Sequence, residues 1–141
     1  MKDMFNLFRR KPKTTLDDPV FGMIEFNSYH GIGMWSHIPA DSECYMILVE
    51  APKNGPSQLQ RDFYSGLRDN LNAIESECKA FIATQGPPPN LLSMTIYSVE
   101  IGSEEEIERK QFVIELSDRK ANEIYRVEFR NGKPAYYGVD D

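Results

Sequence analysis

The sequence predicts an α+β domain: a single, mostly antiparallel sheet of about seven strands, three before and four after one long helix packed on one face. Three observations carry this. Leu59, Phe63, Leu67, Leu71, Ile74, Cys78 and Phe81 recur at spacings of three and four residues, which places them along one side of a helix. Short runs of β-branched and aromatic residues, bounded by Gly, Pro and Asp, lie on both sides of that stripe. Asn131-Gly132 separates two such runs and is a strong hairpin signal. The chain has 141 residues, of which 40% are hydrophobic and 11% aromatic. That is one domain's length, with enough apolar matter to form a core without disulfide or metal.

Taken in order, residues 1–16 read as a basic N-terminal arm and residues 17–141 as the domain. Asp17-Asp18-Pro19 is turn chemistry that ends the arm. Strands follow at Val20–Phe26, Met34–Ile38 and Cys44–Glu50, the last apolar on both faces and therefore interior. Ser57-x-x-Gln60 is a capping box that opens a helix of about 26 residues, close to 40 Å long at 1.5 Å per residue. Gly86 and the three prolines behind it end the helix. Strands then return at Leu91–Ile101, Gln111–Leu116, Ile124–Arg130 and Lys133–Val139, with a loop or one acidic helical turn between the first two. A two-residue Asn131-Gly132 turn pairs Arg130 with Lys133, Val127 with Tyr136 and Arg126 with Tyr137. Pro134 cannot donate to a ladder, so the last strand is expected at an edge.

Charge is uneven. Residues 1–13 hold five bases against Asp3, a net of +4, and the remainder holds 11 bases against 21 acids, a net of −10. An acidic body repels phosphate backbones, which argues against nucleic acid as partner. It favours a basic protein instead, whose encounter it speeds; solubility alone is the blander reading. No run of ~18 apolar residues is present to span a bilayer. In the arm, Met4, Phe5, Leu7 and Phe8 precede Arg9, Arg10, Lys11 and Lys13. That order is the reverse of a secretory signal, and with two unpaired cysteines it points to the cytoplasm. One helical turn of the arm would gather its apolar residues on one face for weak contact with an anionic membrane surface. The blander readings are a frayed arm, or one docked on the domain or on a second subunit.

Motifs for chemistry are few. HExxH, CxxC, GxSxG and Walker patterns are missing, and neither cofactor nor metal is expected. His30, Trp35 and His37 form a candidate pocket with an aromatic wall and an acid/base group, set against the simpler reading of a loop-edge pair. Cys44 and Cys78 fall on apolar patterns and read as core rather than nucleophiles. Glu104, Glu105, Glu106 and Glu108 lack the alternation and glycine of a calcium loop, so they read as a solvated acidic run. Together with Arg126 and Tyr137, read as a cross-strand cation–π pair, they form a candidate interaction surface.

Asp17-Asp-Pro-Val-Phe-Gly22, Trp35 behind a glycine-rich loop and Gly55-Pro56-Ser57 before the helix resemble the N-terminal halves of a set of small bacterial domains of unassigned function. The likeness spans residues 14–84, and the C-terminal half departs from it. It implies a cytoplasmic protein, and some members of the set resemble immunity proteins of bacterial toxin systems. No catalytic residue comes with it. The function expected is therefore a non-enzymatic protein-binding module, immunity-like and acidic towards a basic partner. The alternative is a small-ligand or enzymatic pocket around Trp35, His37 and His30, and a homo-oligomer fits either.

Overall fold

The computed structural model describes residues 13–37, 45–118 and 123–140. Eight strands form one sheet in chain order: β1 Thr15–Asp18, β2 Gly22–Tyr29, β3 Ile32–His37, β4 Met46–Glu50, β5 Thr95–Ile101, β6 Phe112–Ser117, β7 Ile124–Arg130 and β8 Lys133–Asp140. Neighbours are antiparallel except β4 and β5, which run parallel with Met46 opposite Ser98 and Val49 opposite Ile101. The connection between these two carries helices α1 Gln58–Arg68 and α2 Leu71–Ala83, then a 3-10 turn at Leu91–Ser93. A short helix α3, Glu104–Glu108, follows β5.

This corrects the expected architecture in two ways. The first is the helix, which is two. Asp69 closes α1, and Asn70 leaves helical geometry at φ −124°, ψ 18°, its side-chain amide donating to the Gly66 carbonyl at 3.1 Å. Asp and Asn compete for backbone groups in this manner and so interrupt helices. The stripe does not register the break because Leu67 and Ile74, seven residues apart, remain on the buried side of both pieces. Three short helices therefore lie on a sheet-dominated fold, where one long helix was expected.

The second correction is the sheet, which is mixed and has an eighth strand. Thr15–Asp18, read as arm and turn, pairs with β2. Asp18 closes this hairpin by accepting from the Val20 and Phe21 amides at 2.9 and 3.0 Å. Its other oxygen takes the Arg61 Nε at 2.8 Å, tying the hairpin to α1.

Strand alternation divides the sheet into two faces. Ile24, Trp35, Val49, Val99, Ile114, Leu116, Val127 and Phe129 point to one of them and are essentially buried. The helices cover this face. Phe63 of α1 meets Phe112 edge-on at 5.6 Å, Phe81 of α2 meets Tyr137 at 6.4 Å, and Phe112 stacks on Phe129 at 4.3 Å. No described helix is long and apolar enough to cross a membrane.

Candidate functional site

The expected pocket is not assembled. His30 and Gly31, at φ 52° and 80°, form the two-residue turn between β2 and β3, where both positions need a positive φ. His37 ends the same β3 strand. From Ile32 to His37 the strand advances about 17 Å, so the two imidazoles sit at opposite ends. Trp35 and His37 do share the covered face, opposite Val49 and Ile47. Trp35 is a buried core residue, 1% exposed, whose indole donates to the Pro52 carbonyl at 2.9 Å. Cys78 is buried in α2; burial, then the Glu77 and Glu75 carboxylates, push its thiol up to about 12, so it is not a nucleophile at neutral pH. Cys44 lies outside the described residues.

The expected interaction surface is divided between the two faces. A bulge on β8 sets Glu128 opposite Tyr136 but Phe129 opposite Pro134, leaving Ala135 as the extra residue. Proline, which brings no N–H to the ladder, sits at such bulges. Beyond the bulge the pairing moves by one, so Tyr137 faces Val127 and Arg126 faces Gly138. Tyr137 therefore packs on Phe81 at the covered face, and the Arg126–Tyr137 pair does not form. Arg126 lies on the other face, its Nη1 2.6 Å from a Glu100 oxygen and 3.9 Å from Glu115. Glu104, Glu105 and Glu108 are exposed on α3, where Glu105 pairs with Arg109 at 2.9 Å.

The structure points instead to the open face and to the carboxyl ends of the parallel pair, where the chain diverges and α/β sheets leave crevices. Glu50 ends β4 and Ile101 ends β5. Gln60, 3% exposed, joins these ends to the helix start. Its Nε2 donates to the Glu50 and Gly102 carbonyls at 2.6 and 2.8 Å, while its Oε1 accepts from the Ser57 amide at 2.9 Å. Two clefts flank this junction. One of about 650 Å³ lies between the β4–α1 loop and α3, lined by Asn54, Ser57, Gln60 and Glu104 among others. The other, about 290 Å³, opens onto the uncovered face between Glu50, Glu100, Glu106, Gln111, Arg126 and Arg130. None of His30, Trp35 and His37 lines either.

Glu106 enters the smaller cleft because residue 102 is glycine: a Cβ there would collide with the Glu106 carboxylate. Burial, then the Glu50 and Glu105 carboxylates, raise the Glu106 carboxyl above its ordinary value. Glu50, by contrast with Glu100, Glu115 and Glu128, has no ion pair among the described residues. Two carboxylates with no ion pair among the described residues thus face a cleft whose far wall holds Arg126 and Arg130.

Outwards from the cleft, the open face carries half-buried Met34, Met46, Leu48 and Val113 at its centre, with Tyr136, 61% exposed, near one edge. Asp17, Glu25, Glu50, Glu100, Glu115 and Glu128 share this face with Arg126, Arg130, Lys133 and the Lys13 ammonium that pairs with Glu25, so acid exceeds base among the described residues. The five glutamates escape sequence reading because each belongs to a different strand. Only the register lines them up. In comparisons with known proteins, the chain matches no family model, no curated protein and no solved structure.

Proposed function

We propose that the chain is a non-enzymatic protein-binding module whose open sheet face receives a basic partner. The observation that supports this is the face itself: no described helix packs on it, its centre is apolar and half-buried, and its carboxylates outnumber its cations. Apolar contact supplies affinity at such a surface, and charge supplies partner selection and encounter rate. Glu50 and Glu106 give an arginine or lysine of the partner a place in the smaller cleft, where its charge offsets their repulsion. The likeness of residues 14–84 to small bacterial domains, some immunity-like, agrees with this reading and suggests a cytoplasmic setting.

A fluorescein-labelled nona-arginine peptide, followed by anisotropy and stopped flow, tests it. Binding to the full chain should fall about tenfold or more in the double variant Glu50→Gln/Glu100→Gln, a loss of ~1.4 kcal/mol. The association rate should drop steeply with salt. The triple variant Glu104→Gln/Glu105→Gln/Glu108→Gln, on exposed α3, should change affinity less. Equal losses in the two variants, or no loss in either, would overturn the assignment of the open face.

A further inference from the structure

We infer that the smaller cleft receives the partner's C-terminal residue, an arginine or lysine whose cationic head sits against Glu50 and Glu106 and whose own terminal carboxylate is held by Arg130 and Gln111. This rests on the reading of the open face proposed above and names the part of the partner that the face grips. The first argument is that the cleft has walls of opposite charge. Val49 lies opposite Ile101, Ile101 opposite Phe112 and Phe112 opposite Phe129. The next position along each strand therefore sets Glu50, Gly102, Gln111 and Arg130 in one row on the open face. Gly102 brings no side chain, and the Glu106 carboxylate takes that place. The row reads acid, acid, amide, base, and all four side chains line the cleft.

The second argument is which of these charges is already engaged. Arg126 is committed to Glu100 at 2.6 Å and lies 3.9 Å from Glu115. Arg130 makes one long ion pair among the described residues, to Glu128 at 3.5 Å, and its side chain is 62% exposed. Its planar fork stays open to a carboxylate, which it can hold through two parallel hydrogen bonds. At the other end, burial and then the Glu50 and Glu105 carboxylates raise the Glu106 carboxyl, and a cation beside Glu50 and Glu106 relieves that repulsion. A ligand with positive charge alone satisfies the acidic end and is repelled by Arg130. One that carries both charges uses both ends.

The third argument is length. Glu50 and Arg130 are three strand spacings apart, about 14 Å, and strand side chains stand roughly perpendicular to the sheet. A charge-assisted hydrogen bond of about 2.8 Å at each end leaves about 8 Å between them. That is the reach of one extended arginine or lysine from its carboxylate to its cationic head. The cleft's volume of about 290 Å³ holds one residue of that size rather than a folded segment. An arginine inside a chain would bring a neutral carbonyl and a further residue to the place where the carboxylate belongs.

Anisotropy of the full chain with three labelled peptides tests this: a glycine-serine peptide ending in arginine with a free carboxylate, its C-terminal amide, and the same peptide with one glycine added after the arginine. The free acid should bind about tenfold more tightly than either of the others. The net field of an acidic domain favours the reverse order, because the amide carries more positive charge. Arg130→Gln should abolish the preference by weakening the free acid alone, whereas Glu50→Gln should weaken acid and amide alike. Equal binding of acid and amide, a preference that survives Arg130→Gln, or equal binding of the glycine-extended peptide would overturn the inference. Free arginine that competes as well as the free-acid peptide would also overturn it, by showing that the cleft takes the amino acid itself. If neither arginine peptide binds while nona-arginine still binds through Glu50 and Glu100, this inference falls and the basic-partner reading stands. Nona-arginine binding that ignores Glu50 and Glu100 overturns that reading instead.

Discussion

The two faces of the sheet are built from alternate residues of the same strands, yet different physics holds them. On β6, Phe112, Ile114 and Leu116 point to the covered face and are 6%, 0% and 0% exposed, while Val113 and Glu115 between them stay half-buried on the open one. The covered face is held by apolar area removed from water and by ring packing, which tolerates little change in volume. The open face is held by cross-strand ion pairs such as Arg126 with Glu100 and Glu115, which contribute modestly and are screened by salt. The first face is built to stay shut, whereas the second has both the apolar centre and the charge of a surface that accepts something else.

The strongest way to break this contrast is to truncate neighbours on β6. Ile114→Ala should cost about 2–5 kcal/mol, and Val113→Ala, one residue away, no more than about 1 kcal/mol. Equal shifts in denaturant melts would show that the open face is packed as tightly as the other. The next effect is pH, where two carboxyls should act with opposite signs. Asp18 is buried, which alone would raise its carboxyl, but the Phe21 and Val20 amides and Arg61 outweigh burial and hold it below its ordinary 3.8. Its contribution is therefore complete above about pH 4 and is lost as pH falls through the lowered folded value. Asp18→Asn should cost about 1–3 kcal/mol at pH 7, and the difference from the parent should narrow as the solution is acidified below pH 4.

Glu106 runs the other way. Its raised carboxyl prefers the proton when folded, so ionising it opposes folding as pH rises above about 4.5, the unfolded value. Glu106→Gln should therefore raise the melting temperature at pH 7 and leave it unchanged below pH 4. A variant that lowers stability at both would show that Glu106 is held by contacts rather than crowded by Glu50. The smallest effect should come from Arg126→Ala, about 0–1 kcal/mol in stability, shrinking further in 0.5 M salt. A larger, salt-independent loss would make the open face structural in its own right.

Several elements could be read from residue order alone, because their causes are local. Ser57 and Gln60 form the capping box with both hydrogen bonds present, and Asn131-Gly132 makes the last hairpin turn; the acidic run, readable as a loop or as one helical turn, is a short helix. What escaped reading is decided across the fold. The heptad from Leu67 to Ile74 reads the same through a broken helix as through an intact one. Asp17-Asp18-Pro19 reads as a turn, and only the pairing of Thr15–Asp18 with β2 makes it the end of a strand. The β8 bulge moves Tyr137 from a predicted stack with Arg126 to a half-buried contact with Phe81; an aromatic ring gains more from leaving water than from an exposed cation–π pair. The candidate site was least legible for the same reason, since Glu50, Glu100 and Glu106 become neighbours only through the parallel ladder and Gly102.

The parallel ladder also has a kinetic side. Strands β1–β4 form one run of neighbours in sequence and β5–β8 another, so each run has mostly short loops to close and can gather its own contacts early. The seam between them joins residues such as Met46 and Ser98 across the whole helical connection, and closing it demands the largest chain entropy in the molecule. Assembly is therefore a meeting of two meanders, with Gln60 latching α1 to both strand ends once they align. Read in reverse, the seam is the line along which the domain divides into two cooperative units when it opens, and it runs beneath the cleft where the proposed partner would bind.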